Sequence, residues 1–482
     1  MSFVTDFVQS VSRVVEHVLQ QEPPPPPPAQ TPEQIEARVN AATSNPEQRE
    51  LLTQGYTQAQ QDQDGALWQQ TEALETLYHD REVLALSRSL GADDEVPAGW
   101  HRASEAELEQ YGLTPQQLHP EGSGFNAELF IPDPAVFGPD AAPVLQFEGT
   151  DFADLEDVNA DVAQALGNDE AYYNQAIDIA SSVAEHGGDN VIFSGHSLGG
   201  GLATAAALVT GNRGIVSNPA GVNPATVEAA LAERGLSFEQ ADGNITTYAV
   251  DGDLLTELQA ATSGLSDDNA AGFAAILNGV GLAANRLQDD VVLPTNATAD
   301  SVLNLPDAVG RRVTLDATDE SGEARPEIVS LDDTIDGINA ASDQLPIGEL
   351  GDIAETVGDG GGLFGDIVGG FTDLVDSGTE FIDEHLPGPA GAILGAFGDG
   401  VETLGDGIES LGDLVEQGGD LAADATDAIE TGVATSIEAG LEPETIPSVL
   451  EMVDRHSFGV FDDSMASHID SEEAALREQL DG

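Results

Sequence analysis

One stretch constrains this chain more than any other. Val191-Ile192-Phe193 leads into Gly195-His196-Ser197-Leu198-Gly199, and Gly200-Gly201-Leu202-Ala203-Thr204-Ala205-Ala206-Ala207 follows. An apolar run, a G-x-S-x-G pentapeptide and a small-residue run read as strand, sharp turn and helix. In that context Ser197 occupies a nucleophile elbow, a strained turn that lifts a hydroxyl above a parallel sheet. Glycine flanks it because the turn brings backbone against backbone, where a Cβ would clash. The small residues that follow let the helix lie close on the sheet. A fold that accepts this stretch needs a sheet with helices packed tightly against it.

The surrounding sequence supplies one. Val144–Phe147 reads as a strand, followed by Glu148-Gly149-Thr150-Asp151. Residues 159–185 read as a helix, with Tyr172, Ala176, Ile179, Ala180 and Val183 on one face and Gly187-Gly188 as its stop. Ile215-Val216-Ser217 is a further strand, ended by Asn218-Pro219, and residues 225–234 are helical. Ile245–Val250 is a strand ending at Asp251-Gly252-Asp253, and Arg312–Leu315 is the last clear one. Strands alternating with helices predict an α/β class: a mostly parallel sheet with helices on both faces.

Residues 96–317 are thus expected to form the core, with four flanking segments. Residues 1–29 hold an amphipathic helix (Val4, Phe7, Val11, Val14, Val15 and Val18 at helical spacing) and then a stiff spacer, the proline run Pro23 to Pro28. Residues 30–95 are a Gln/Glu/Ala-rich helical preface that opens on Thr31-Pro32-Glu33-Gln34, a capped helix start. Residues 318–445 are a large Gly/Asp-rich helical insertion. There Leu394, Phe397, Val401, Leu404, Ile408, Leu411 and Val415 form a heptad seam interrupted by glycines. The insertion is expected to shield the mouth of the site as a lid, or to contact a membrane or partner. Residues 446–482 return to the core.

Charge narrows the partners. The chain carries 14 Lys+Arg, all of them Arg, against 88 Asp+Glu, for a net charge of −74. Such a surface repels itself at low ionic strength and is screened by salt. Phosphate backbones are repelled too, which argues against nucleic acid as partner. With no cysteine, disulfides, thiolate catalysis and Cys-based zinc sites are excluded. Asp359-Gly360 and Asp399-Gly400 are isolated pairs without EF-hand or nonapeptide spacing, so no metal or other cofactor is expected. The N-terminus lacks a basic n-region and a continuous apolar h-region, and no stretch reaches the ~18 apolar residues of a spanning helix. A soluble chain without a signal peptide is expected, exported, if at all, by a specialised secretion system.

A serine nucleophile needs a base, and the base needs an acid to orient it. In the α/β-hydrolase arrangement the acid and then the histidine follow the serine along the chain. His17, His79, His101, His119 and His186 precede it, and the turn directs His196 away. His385, His456 and His468 remain. His456 is preferred because it follows Val449-Leu450-Glu451-Met452-Val453 and precedes Phe458, Val460 and Phe461, where a loop re-enters the core. Asp251 and Asp253 both qualify as the acid after Ile245–Val250; Asp253, before Leu254-Leu255, is preferred. The N–H of Leu198 offers one oxyanion donor, and Gly149-Thr150 a second.

These residues carry a resemblance. Gly195-His196-Ser197-Leu198-Gly199-Gly200, the Phe-x-Gly-Thr at Phe147–Thr150 and the Gly252-Asp253-Leu254-Leu255 turn resemble the class 3 (fungal-type) lipase family. The stretch from Trp100 through Leu315, with the segment around His456, also resembles bacterial lipase-like proteins of that superfamily, phospholipase effectors among them. The resemblance implies a Ser197–Asp253–His456 triad, an oxyanion hole at Thr150 and Leu198, and hydrolysis of lipid acyl esters as a phospholipase A-type enzyme or broad lipase. Its partners would be a lipid or phospholipid at a membrane surface, together with secretion machinery or an immunity protein. Glu148 stands where the family usually has Arg, and the 318–445 insertion has no counterpart in the compact fungal enzymes. A carboxylesterase or acyltransferase would use the same triad; a catalytically silent lipid- or partner-binding module is the non-enzymatic rival.

Overall fold

A computed structural model of the chain describes residues 25–91, 94–149, 170–238, 242–262, 305–328, 451–452 and 454–481. The expected helix at 3–19, the heptad seam, His385, Thr150 and most of the 318–445 insertion lie outside the described residues.

A seven-stranded sheet organises the rest, in the order β1-β2-β3-β4-β5-β6-β7. The strands are β1 Trp100–Arg102, β2 Ala127–Pro132, β3 Val144–Phe147, β4 Ile192–His196, β5 Gly214–Ser217, β6 Ile245–Val250 and β7 Arg311–Leu315. β3 through β7 are parallel, in register Phe147↔Gly195, His196↔Ser217, Ser217↔Tyr248 and Val250↔Leu315. β1 and β2 add an antiparallel edge. The sheet is thus the mostly parallel one of an α/β-hydrolase-like fold.

Sequential parallel strands advance in one direction, and right-handed crossovers then place every connecting helix on the same face. Four long helices precede or follow β4 to β6: α4 Glu170–Glu185, α5 Leu198–Thr210, α6 Pro224–Arg234 and α7 Leu254–Thr262. Tyr173, Ala176, Ile179 and Val183 of α4, Leu202 to Val209 of α5 and Val227 and Leu231 of α6 share one core with Leu145, Phe147, Phe193 and Val216 of the sheet. α5 is buried all round, as its run of small apolar residues requires.

The opposite face is covered from both ends of the described chain. α1 Pro32–Ala42, α2 Pro46–Asp62, α3 Gly65–Leu84 and the C-terminal α8 Phe458–Asp481 pack there. Leu52, Tyr56, Trp68, Leu74 and Tyr78 join Val460, Phe461, Met465 and Ile469 against Val144, Ile192, Ile215, Tyr248 and Val250. Strand residues alternate between the two cores: Val144 and Ile192 on one side, Leu145 and Phe193 on the other. That is the period of two of a strand buried on both faces. The Thr31 cap forms as its sequence predicts: Gln34 N–H donates to Thr31 Oγ1 at 3.3 Å and Thr31 N–H to Gln34 Oε1 at 2.8 Å.

Candidate active site

The parallel strands end along one edge, and the site lies there. β4 ends at His196, and Ser197 turns the chain into α5 with φ 57° and ψ −127°. A non-glycine residue in such a conformation costs about 1–3 kcal/mol and persists only where its surroundings hold it. Here they do. Ser197 N–H donates to Ser217 O at 3.1 Å, and Ser197 O accepts from Gly201 N–H at 3.1 Å and Ala220 N–H at 2.9 Å. Glycine is required on both sides. A Cβ on Gly195 would strike the Gly199 carbonyl; one on Gly199 would strike the Phe147 carbonyl and come within 2.8 Å of Gly149 N.

The hydroxyl so raised meets an imidazole from the far end of the chain. Ser197 Oγ is 2.8 Å from His456 Nε2, and His456 Nδ1 is 2.5 Å from Asp253 Oδ1. A carboxylate only accepts, so Nδ1 carries the proton and Nε2 is left to accept from the serine. Asp253 divides its oxygens. Oδ2 accepts the Thr256 N–H at 2.9 Å, capping α7, while Oδ1 faces the imidazole. Leu254 and Leu255 are buried and anchor that turn. Burial alone would raise the pKa of Asp253. The opposing charge and hydrogen bond of His456, with the Thr256 bonds, hold it below the ordinary carboxylate value. Ser197, Asp253 and His456 are all fully buried.

Residues 72–316, 245 of the 482, match the family model of the Tle-like phospholipase domain. The chain belongs to this phospholipase-like family. The extracellular phospholipase A1 of Serratia liquefaciens is 38% identical over 171 residues, which cover 35% of this chain and 51% of that relative. The chain therefore spans about half the length of the curated relative it matches.

The phospholipase-like core also places the residues left open by sequence. Asp251 is exposed, and it is its backbone carbonyl that is engaged, by Arg455 Nη1 at 2.8 Å. His468 lies within α8, half-buried. Leu198 is the first residue of α5, where a helix N–H has no partner within the helix. Gly149 runs beside the elbow: a Cβ built on it would lie 3.4 Å from Ser197 Cβ. Glu148, the departure from Arg, is tied to the neighbouring strand by Asn126, whose Nδ2 donates to Glu148 Oε2 at 2.6 Å.

Two strand ends hold the histidine segment in ways that sequence reading missed. His196 Nε2 is 2.8 Å from the carbonyl of His456 and its Nδ1 3.0 Å from Ser217 Oγ. Asn218, with φ 39°, gives its Nδ2 to Arg455 O at 3.3 Å and takes Val250 N–H on Oδ1 at 2.9 Å. The Arg455 guanidinium is buried and balanced by Glu451 at 3.0 Å, which Arg325 also pairs at 2.6 Å. The available signal was position: polar residues at the same C-terminal edge of adjacent strands as the elbow.

Proposed function

We propose that this chain is a lipid ester hydrolase of the phospholipase A type, working through a Ser–Asp–His acyl-enzyme mechanism. The observation that carries the reading is the hydrogen-bonded line from Ser197 Oγ through His456 to Asp253, at 2.8 and 2.5 Å, on a strained elbow. Ser197 Oγ attacks the ester carbonyl carbon while His456 Nε2 takes its proton. Asp253 keeps the imidazole in the accepting tautomer and stabilises the imidazolium. The tetrahedral oxyanion is assigned to the N–H of Leu198 and to Thr150. On collapse the lysophospholipid oxygen leaves with the proton from His456. Water, deprotonated by the same base, then attacks the acyl-enzyme and releases the fatty acid. Similarity to a phospholipase A1 favours the sn-1 ester. The resemblance of His196-Ser197-Leu198-Gly199-Gly200 to class 3 lipases supports the same roles.

The test compares wild type with Ser197→Ala on phosphatidylcholine vesicles labelled separately at the sn-1 and sn-2 acyl chains, and on soluble short-chain esters. Wild type is expected to release mainly the sn-1 acid, and the variant to lose at least about 10⁴-fold in rate. Equal rates in the two proteins would overturn the mechanism. Cleavage confined to soluble esters would remove the lipid assignment and leave a carboxylesterase.

A further inference from the structure

The imidazole that meets Ser197 stands 259 positions further along the chain. Its placement to a fraction of an ångström therefore depends on contacts made after the chain has folded. Two consecutive carbonyls of its segment are held by side chains of the core. The Arg455 carbonyl accepts from Asn218 Nδ2 at 3.3 Å, and the His456 carbonyl from His196 Nε2 at 2.8 Å. Both donors sit at adjacent strand ends, on β4 and just after β5. A carbonyl can only accept, so His196 Nε2 must carry the ring proton. Nδ1 is then an acceptor and takes the Ser217 hydroxyl proton at 3.0 Å. The His456 carbonyl thereby sets the tautomer, and the Ser217 hydroxyl, free to turn its proton toward Nδ1, holds the other side of the ring.

The surroundings of His196 suit this role. Burial first, and then the neighbouring His456, depress its pKa to about 3, so the ring is a neutral single donor at ordinary pH. Phe458 and Phe461 pack on it with ring centroids 5.4 and 6.3 Å away, and the His456 ring lies at 5.2 Å. The residue that precedes the nucleophile thus grips the backbone of the base, while Ser197 meets the side chain of the same base.

We propose that His196 is a positioning residue: its Nε2–H fixes the backbone of His456 so that the imidazole meets Ser197 in reactive geometry. The inference rests on the hydrolase reading. Its consequence lies in the rate of the chemical step, since His196 does not face the ester. A misplacement of about 1 Å at a reacting group can cost on the order of 10²-fold in rate.

The experiment uses the full chain and a fluorophosphonate probe, resolving the maximal labelling rate from the probe concentration for half-maximal rate. Three variants accompany wild type, each checked by circular dichroism and melting. His196→Phe keeps a planar ring without a donor, His196→Gln offers an amide N–H near the same point, and Ser217→Ala removes the hydroxyl that holds the ring at Nδ1. His196→Phe should lower the maximal rate by about 10–100-fold with unchanged half-saturation. His196→Gln should recover most of that loss, and Ser217→Ala should fall between. Wild-type labelling by His196→Phe, or Gln and Phe variants equally slow, would overturn the inference. Should His196→Phe fail to fold, Ser217→Ala decides, and a wild-type rate there overturns it. Absence of labelling in folded wild type would instead overturn the hydrolase reading on which it rests.

Discussion

Tyr248 on β6 donates its hydroxyl to Asp80 Oδ2 at 2.8 Å, and so bolts the N-terminal helix α3 to the strand beside the β7 edge of the sheet. Asp80 is fully buried; His79 Nδ1 at 2.9 Å and the half-exposed Arg213 at 3.3 Å complete its partners. Burial, and then the adjacent carboxylate, push the Tyr248 phenol well above its ordinary pKa, so it remains a donor. Tyr248→Phe leaves that carboxylate short of one strong partner. It should destabilise the protein by about 1.5–3 kcal/mol, measured by urea unfolding. Ester hydrolysis per folded molecule should be unchanged, because the backbone bond from Asn218 N–H to Tyr248 O survives the change.

The elbow and the Phe147–Gly149 segment are in contact through a glycine. Gly199 has room for no Cβ: the nearest atoms would be the Phe147 carbonyl, Glu148 C and Gly149 N. All are backbone, which does not yield as a flexible side chain does. Gly199→Ala should therefore cost about 1–3 kcal/mol through overpacking and displace the strand end assigned to the oxyanion. A fall in melting temperature together with slower fluorophosphonate labelling is expected. A fall in melting temperature with labelling at the wild-type rate would show the strand end to be independent of the elbow.

How far sequence alone reached follows from where the constraints are local. Val191–Phe193, the G-x-S-x-G turn and the small-residue run are contiguous, so strand, elbow and helix were legible. Leu254-Leu255 marked Asp253, and the re-entry at Phe458 marked His456, by local pattern and chain order. Two other features were not local. β1 is only three residues long, and β2, Ala127–Pro132, pairs antiparallel on the far side of β3, outside the alternation of parallel strands and helices. The covering of the second face by α1–α3 and α8 depends on all crossovers falling on one face, which strand order decides and strand patterning does not. The turn directs His196 away from the serine hydroxyl, and only the folded chain shows that it points toward the His456 carbonyl.

Salt should act on the whole molecule. A charge of −74 on 482 residues is a self-repulsion that compaction increases. Raising ionic strength from about 0.01 M to about 1 M shortens the screening length from roughly 30 Å to roughly 3 Å. The melting temperature should therefore climb steeply with sodium chloride and level off once the screening length falls below the spacing of surface charges. Calorimetric scans across a salt series test this. Hydrolysis of vesicles rich in anionic lipid should show a stronger salt requirement than hydrolysis of phosphatidylcholine vesicles, because protein and surface then repel each other.

Asp253→Asn separates orientation from packing. The amide is nearly isosteric and its oxygen can still accept Thr256 N–H, which keeps the α7 cap. It can also donate to His456 Nδ1, which favours the tautomer with the proton on Nε2, facing Ser197. In serine hydrolases this inversion costs about 10⁴-fold in kcat with little change in fold. Short-ester kinetics and a melt on the same preparation check both halves. A rate within about tenfold of wild type would remove Asp253 from the mechanism.

Acid stability supplies a test of His196 that needs no substrate. Its folded pKa, near 3, lies below the 6.5 of a free imidazole because burial disfavours the charged ring and His456 repels it; Asp253 only partly offsets these. Between those two values the unfolded chain binds a proton that the folded chain does not. Stability contributed by neutral His196 is thus fully present above pH 6.5 and is lost as pH falls toward 3. From pH 8 to pH 5 the loss from this residue amounts to about 2 kcal/mol, at 1.36 kcal/mol per pH unit below 6.5. His456 and Asp253 are the titratable groups beside it, and both remain in His196→Gln. Urea unfolding of wild type and His196→Gln at the two pH values isolates the term as a difference of differences. Wild type should lose about 2 kcal/mol more than the variant on acidification. Equal losses would mean that His196 accepts a proton in the folded state. The grip on the His456 carbonyl would then have to withstand a charged ring whose Nδ1–H faces the Ser217 hydroxyl.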